Sequence, residues 1–153
     1  MDRFQSTGQT LTDFLDEIWV HCPQCNDQAQ IRQLKSGAVN VFAPRRCSCL
    51  HCGATQNWSQ GTVTHSAHVA VDPYFQHRLW LQVPCCGQVL WAYNPQHLEF
   101  LAAFVGATFR ESRLEPSQGW SNRSLASRLP HWMQAKHNRQ KVLKAIEQLR
   151  AML

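Results

Sequence analysis

Long apolar runs and a signal sequence are missing from this chain, and their absence limits where it could act. No stretch of its 153 residues approaches the roughly 20 continuous apolar residues that span a bilayer. The opening segment, MDRFQSTGQTLTDFLDEIW, lacks the basic start and apolar core of a signal peptide. With 44% apolar and 16% charged residues, the composition is that of a globular protein. We therefore expect a soluble, cytoplasmic protein with no membrane partner.

Catalytic motifs are also missing. The ten Asp and Glu residues include no pair in an obvious cleft-forming context, and there is no GxSxG, P-loop, HExxH or nicotinamide-binding fingerprint. Cys85 or Cys86 could form a thiol nucleophile with His97 as its base. Nothing in the sequence brings these residues together, and His97 fits better as a surface residue in the first turns of a helix. The sequence therefore favours a protein that is not an enzyme, without deciding the question.

Cysteine, by contrast, is abundant, with seven residues. A reducing cytosol argues against structural disulfides, and an odd number does not pair fully within one chain. Four of the seven form two CxxC pairs, Cys22-x2-Cys25 and Cys49-x2-Cys52. Two such pairs at this separation are typical of a four-cysteine zinc site. Four sulfur ligands leave no open coordination position, so we expect one structural Zn²⁺.

The residues around the two pairs predict a zinc ribbon. Asn26 and Gly53 follow the pairs, where a tight turn favours residues that tolerate a positive φ. Strands are predicted at 28–34, 38–42 and 54–60, from alternating polar and apolar residues or from position after the second pair. A thioredoxin-like site needs only one CxxC, near a βαβ pattern that is not visible here. In so small a sheet, the metal would supply much of the folding energy.

Three cysteines remain outside this pattern. Cys47 lies two residues before a predicted ligand, and a simple buried thiol is the favoured interpretation. Cys85 and Cys86 are adjacent in PCCG, where diverging side chains are poorly placed to share an ion. A second metal site would need help from Cys47 or from a histidine such as His51 or His77.

A β-hairpin and a helix are predicted after the ribbon. The run LWLQVPCCGQVLWAYN, residues 79–94, has two apolar segments around PCCG, which we interpret as the turn. Trp80 and Trp91 would then lie on the paired strands. Asn94 is a good N-cap and Pro95 suits a first helical turn, so a helix is predicted over about 95–111.

The C-terminal part reads as a loop followed by helices. A last helix carries an apolar stripe of Leu143, Ile146, Leu149 and Leu153, with Val142 beside it. The predicted fold is thus α+β, with an N-terminal zinc ribbon of short antiparallel strands followed by a β-hairpin and C-terminal helices. We divide the chain into residues 1–62 with the ribbon, 63–115 with the hairpin and helix, and 116–153 with a loop and a basic helical segment.

Positive charge is concentrated at the C-terminal end. Residues 121–153 hold seven basic residues and one acid, or +6, whereas residues 1–120 hold eight basic and nine acidic residues, or −1. This segment suggests an acidic partner, although a merely solvated helix face is an equal alternative. We expect a nucleic-acid-binding adaptor whose phosphate contacts come from Arg123, Arg128, Lys136, Arg139, Lys141 and Lys144.

Two further features bear on the partner. Trp58 or Trp132, if exposed, could stack on bases, although buried packing is the default for either ring. The alternative function is a protein–protein interaction module that presents the tryptophan-rich hairpin to a protein partner.

Four stretches resemble a family of small bacterial proteins described as TFIIB-type zinc-ribbon-containing. They are WVHCPQC, CLHCG, LWLQVPCCGQVLWAYNPQHLEFLAAFV and SLASRLPHWMQAKHNRQKVLKAI, and the resemblance covers most of residues 18–150. The last two are the more specific, since the zinc pattern alone is generic. Cys47 stands where that family usually has an apolar residue, which weighs against a ligand role, and His137 looks inserted. The resemblance implies a zinc ribbon at Cys22, Cys25, Cys49 and Cys52, and it implies no activity.

Overall fold

The fold is α+β. A computed structural model describes residues 3–4, 14–35, 40–64, 69–106, 109–110 and 130–153. The strands in these residues are β1 (Arg3–Phe4), β2 (Glu17–His21), β3 (Gln28–Gln33), β4 (Arg45–Cys49), β5 (Thr55–Trp58), β6 (Leu81–Cys85), β7 (Gln88–Ala92) and β8 (Phe109–Arg110). The helices are α1 (Pro95–Gly106), α2 (His131–Gln134) and α3 (Arg139–Arg150), with a 3-10 turn at Lys136–Asn138. Within the described residues, no helix is both long and apolar enough to cross a membrane.

The first half forms a four-stranded antiparallel sheet in the order β2-β3-β4-β5. Ile31 in β3 lies opposite Ile18 on one side and Cys47 on the other. Side chains alternate between the two faces of a strand, so one face of this sheet supplies core residues. These are Ile18, Val20, Ala29, Ile31, Cys47 and Cys49, each buried. The predicted strands at 28–34 and 54–60 are confirmed, and β2 is an additional strand that the sequence pattern did not predict.

The strand predicted at 38–42 is wrong for the part that the structure describes. Residues 41–43 form a turn, and the strand begins only at Arg45. The side chain of Asn40 accepts a hydrogen bond from the Phe42 N–H at 2.9 Å, and the Ala43 N–H donates to the Asn40 carbonyl at 3.2 Å. Asn competes for backbone hydrogen bonds in this way and so favours a turn over a strand. Residues 36–39 of the predicted strand lie outside the described residues.

The four-stranded sheet is hydrogen-bonded to the second half of the chain along the free edge of β2. Val20 forms an antiparallel bridge with Leu79. The Trp80 N–H donates to the Trp19 carbonyl at 2.9 Å, and the Trp19 N–H donates to the Tyr93 carbonyl at 2.7 Å. Buried residues from both halves belong to one hydrophobic cluster. The predicted divisions near residues 62 and 115 stay predictions.

Strands β6 and β7 form the predicted hairpin, but its turn is shorter than PCCG. Pro84 pairs with Val89 and Cys85 pairs with Gln88, so only Cys86 and Gly87 form the loop. Their φ angles are 55° and 75°. Positive φ at both positions defines a type I′ turn, whose twist matches that of the strands it joins.

Asn94 fixes the start of α1, as the sequence predicts. Its side-chain oxygen accepts a hydrogen bond from the His97 N–H at 2.8 Å, which satisfies one of the free donors of the first turn. Its amide nitrogen donates to the carbonyls of Phe14 at 2.8 Å and Glu17 at 2.6 Å. A single buried side chain therefore caps the helix and ties it to the residues that begin β2.

Two expectations about α1 are wrong. The helix ends at Gly106, not at 111, and Phe109–Arg110 forms β8, which pairs in parallel with β1. His97 is a buried residue, not a surface one, with 2% of its area exposed. Its ring stacks on Phe14 with centroids 4.9 Å apart, and its Nδ1 accepts the Tyr93 N–H at 3.0 Å.

Helix α3 packs against α1 and β6. Its buried face consists of Val142, Ala145, Ile146 and Leu149. The predicted stripe is therefore displaced, because Leu143 is half-buried and Leu153 is exposed. An α-helix turns 3.6 residues per turn, so a face centred on Val142 and Leu149 directs Lys141 and Lys144 away from the core.

Replacing Asn94 with Ala tests the buried cap. We expect the free energy of unfolding to fall by about 3 kcal/mol, because a cap is worth about 1 kcal/mol and each unpaired carbonyl adds about 1 kcal/mol. Urea denaturation measures the change. Gln96→Ala, at an exposed position of the same turn, is the matched control and should change stability little. Equal effects of the two substitutions would contradict the assigned role.

His97 should make stability depend on pH. Burial lowers its pKa from 6.5 to about 3, so between these values the unfolded chain binds a proton that the folded chain does not. Stability is therefore complete above about pH 6.5 and falls as the pH drops towards 3, by up to about 1.4 kcal/mol per pH unit. His97→Gln, which keeps a hydrogen-bond acceptor, should show a shallower decline in urea denaturation series. The exposed control His137→Gln should retain the wild-type slope, and an unchanged slope in His97→Gln would refute this assignment.

Candidate metal centre

Two turns of nearly identical construction carry the four paired cysteines. In the first turn, the Asn26 N–H donates to the Cys22 carbonyl at 2.9 Å. In the second, the Gly53 N–H donates to the Cys49 carbonyl, also at 2.9 Å. Asn26 and Gly53 have φ angles of 64° and 78°, as their positions in the sequence predict. Because the left-handed region is tolerated by Gly and to a lesser degree by Asn, these residues allow both turns to close.

The two turns bring their sulfurs together at one end of the four-stranded sheet. Cys22 Sγ lies 3.6 Å from Cys52 Sγ, and Cys25 Sγ lies 3.5 Å from Cys49 Sγ. All four sulfurs lie within 4.8 Å of one another. A tetrahedral ion with bonds of about 2.3 Å to sulfur places its ligands about 3.8 Å apart. The cysteines therefore fit a four-sulfur metal site, and the predicted grouping of Cys22, Cys25, Cys49 and Cys52 is the one that the fold assembles.

Backbone amides point at three of the sulfurs. The N–H groups of Gln24, Asp27 and Cys52 donate to the sulfurs of Cys22, Cys25 and Cys49 respectively, each at 3.4 Å. Hydrogen bonds to a thiolate favour its charged form. The turns thus supply partial positive charge to the sulfurs before any ion binds.

Thiol ionisation at the cluster is uneven. Hydrogen bonding from the Cys25 backbone amide is the largest effect that lowers the pKa of the Cys22 thiol to about 6. At Cys25, the Asp27 amide lowers the thiol pKa, but burial and the neighbouring sulfurs outweigh it and raise the pKa to about 12. Neighbouring thiolates oppose one another unless a cation lies between them. Metal binding to all four sulfurs would therefore release protons.

Burial differs between the two halves of each pair. Cys22 and Cys49 are buried, whereas Cys25 is half-buried and Cys52 is exposed. Outside the four sulfurs, His51 Nδ1 lies 3.4 Å from Asp27 Oδ2, and both side chains are well exposed. With four protein ligands no coordination position is open to a substrate, so this arrangement suits a structural ion and not a catalytic one.

Cys47 is a buried thiol outside the cluster. It points to the core from β4, and burial raises its pKa to about 12. In the part of the chain that the structure describes, no other group of three Cys, His, Asp or Glu side chains converges as a metal site would require. His77, one of the candidates for a second site, forms a hydrogen bond with Gln56 at 2.6 Å instead.

The sequence predicts that the side chains of the adjacent cysteines in the hairpin diverge, but their sulfurs lie close together. Cys85 Sγ and Cys86 Sγ lie 3.5 Å apart, because Cys86 leaves the strand in a left-handed conformation. The sequence pattern places both cysteines in the predicted turn but does not predict that their side chains meet, because Cys is not among the residues that normally indicate a type I′ turn. No described hydrogen bond joins His97 to either thiol, and its buried ring instead contacts Phe14, Trp91 and Tyr93.

The predicted phosphate-binding residues lie partly within the described chain. Lys136, Lys141 and Lys144 are exposed, and Arg139 is half-buried. Arg123 and Arg128 lie outside the described residues. Arg150 forms ion pairs with Glu99 and Glu147, so both of these acids are already paired.

Comparison with protein-family models, curated proteins and solved structures finds no match for this chain.

A pair of alanine substitutions on β4 tests the metal centre. Cys49→Ala should reduce bound metal from about one ion per chain to near zero and unfold the ribbon, because a closed four-sulfur site supplies folding energy directly. Cys47→Ala, two residues away and equally buried, should retain the ion and lose only about 1–2 kcal/mol of stability from its small cavity. Elemental analysis of purified protein and urea denaturation measure the two effects. Equal metal content in the two variants would overturn the site.

Proposed function

We propose that this chain is a non-enzymatic zinc-ribbon protein that binds nucleic acid through its basic C-terminal helical segment. The ribbon serves as a rigid module, and the segment that includes α3 supplies contacts to phosphate groups. The resemblance to TFIIB-type zinc-ribbon-containing proteins supports the ribbon alone, so the nucleic-acid-binding part of the proposal rests on the charge of the C-terminal segment.

Zinc is the ion that best suits the four-cysteine site. Iron also accepts four thiolates, but a closed tetrahedral site formed from two CxxC turns is typical of structural zinc. Zinc has no redox chemistry and no geometric preference from its d electrons, so the turns alone would set the coordination. Elemental analysis of the wild-type protein distinguishes zinc from iron.

The observation that carries the proposal is a set of cations without acidic partners. Among the described residues, ion pairs are absent from four basic side chains of the segment: Lys136, Arg139, Lys141 and Lys144. Two acids in the described part of the chain, Glu99 and Glu147, are already engaged, since Arg150 pairs with both. Positive charge that the described residues do not neutralise is available to an anionic partner.

The positions of these cations suit a phosphate backbone. Lys141 and Lys144 lie three residues apart, so their side chains are neighbours on one helix face. That face is opposite the buried Val142, Ala145, Ile146 and Leu149. Flexible lysine side chains on a solvent face contact phosphates without reading base identity, so we expect binding with little sequence preference.

Base stacking receives less support. Trp58 and Trp132 are both half-buried and pack against the core. The Trp58 ring contacts Tyr74 edge-on, with centroids 4.8 Å apart. We therefore assign the interaction to charge and not to aromatic stacking.

The alternative is a protein-interaction module that presents the tryptophan-rich hairpin. Trp80 and Trp91 are half-buried and lie against His21 and Tyr93, with ring centroids 4.7 Å and 5.0 Å apart. Only part of each ring is thus left for a partner. The most exposed large apolar residues lie on the ribbon, at Leu50 with 90% and Phe42 with 71% exposure. Isolated residues of this kind are common on surfaces and identify no partner.

A matched pair of double variants tests nucleic-acid binding. Lys141→Gln/Lys144→Gln removes two charges from α3, and Lys35→Gln/Arg78→Gln removes two exposed charges elsewhere. On duplex DNA, the first variant should make the slope of log Kobs against log salt shallower by about 1.8, at about 0.9 per lost phosphate contact. The second should keep the wild-type slope. Fluorescence anisotropy with labelled duplex DNA and single-stranded RNA over a salt series measures both.

Two outcomes would remove the proposal. One is the absence of binding to either nucleic acid in low salt, and the other is an equal loss in the two variants. A pull-down from lysate with and without nuclease then separates the functions, because a protein partner persists after nuclease treatment.

A further inference from the structure

Cys85 and Cys86 form a thiol pair that neither the metal centre nor the basic segment uses. Their sulfurs lie 3.5 Å apart, although neighbouring residues on a strand normally point to opposite faces. The sulfurs meet because Cys86 has a φ of 55°, which turns its side chain back towards Cys85. Gly87, with a φ of 75°, completes the two-residue turn.

The position of Cys86 points to a role for its sulfur. The left-handed region is unfavourable for a residue with a β-carbon, and type I′ turns normally place Asn, Asp or Gly there. Strained positions of this kind are often functional. Cysteine gives the turn nothing that asparagine would not give better, apart from a second thiol beside Cys85.

The two thiols of the pair differ in burial. Cys85 is buried at the end of β6, whereas Cys86 is half-buried at the tip of the hairpin. Helix α3 packs against β6, and the positive charge of Lys141 acts on Cys85. Burial, and then Cys86, raise the pKa of the Cys85 thiol to about 11. Cys85 is therefore protonated at neutral pH and is not an activated nucleophile.

A site with two sulfur donors on adjacent residues suits only a ligand that needs two bonds on the same side. Zinc in a protein site needs four donors, and in the described residues no third Cys, His, Asp or Glu converges on this pair. Two-coordinate copper(I) prefers sulfurs on opposite sides of the ion, which adjacent residues 3.5 Å apart do not provide. Trivalent arsenic is pyramidal and bonds two sulfurs on the same side, at an angle close to a right angle.

We propose that Cys85 and Cys86 form a chelating site for trivalent arsenicals. With a monosubstituted arsenical, R–As=O, two As–S bonds form and the As=O bond breaks. The oxygen leaves as water with the two thiol protons. Arsenic remains trivalent throughout, so the step consumes no oxidant or reductant. The two sulfur donors are not among the proposed phosphate-binding residues, so this proposal does not rest on nucleic-acid binding.

The test uses phenylarsine oxide with the full-length, metal-loaded protein, followed by native mass spectrometry. The wild-type chain should take up one phenylarsenic group, with loss of water, and retain its metal ion. Cys86→Asn places a favoured residue in the turn, so it should fold at least as well as the wild type. It should nevertheless bind the arsenical about 100-fold more weakly or worse, because the second thiol no longer acts intramolecularly.

Controls separate the pair from the other thiols. Cys85→Ser should lose binding as Cys86→Asn does, whereas Cys47→Ala should bind normally. Excess 2,3-dimercaptopropanol should release the arsenical and an equal concentration of a monothiol should not. The proposal is overturned if the wild type takes up none, if Cys86→Asn binds as tightly as the wild type, or if uptake expels the metal ion.

Discussion

Convergence of four sulfur atoms from two distant turns organises the ribbon. Cys25 and Cys49, whose sulfurs lie close together, are 24 residues apart in the sequence. The four strands β2 to β5 are too short to build a large core alone. Negative charge on sulfurs this close requires a cation, and backbone amides from Gln24, Asp27 and Cys52 already point at three of them. An ion bound at these four sulfurs would therefore contribute directly to the folding of this half.

Continuity of the core extends this organisation to the rest of the chain. The edge of β2 is hydrogen-bonded to residues 78–80 and to Tyr93, so the sheet that positions the sulfurs also receives the hairpin. Asn94 adds a second connection by linking the start of α1 to Phe14 and Glu17. The four-stranded sheet, the hairpin and the helices therefore share one hydrophobic core.

Helix α3 has a buried apolar face and an exposed face that carries lysine residues. Its apolar face fills the core against α1 and β6, and this burial fixes the direction of its exposed lysines. The ion pairs of Arg150 with Glu99 and Glu147 use up nearby negative charge. Exposed pairs of this kind add little stability, so their main consequence here is electrostatic. In the proposed function, the remaining cations of the segment contact the anionic partner.

The sequence by itself determined the grouping of the four paired cysteines, the hairpin and the start of α1, because each depends on local spacing: two CxxC turns, two apolar runs around PCCG, and Asn94 before a proline. Only the tertiary structure decided the positions of β2, β4, His97 and the sulfurs of Cys85 and Cys86. His97 reads as a surface residue until Phe14 and Tyr93, distant or outside its helix, enclose its ring. Burial and edge pairing depend on residues that are distant in the sequence, so the local pattern of polar and apolar residues does not predict them.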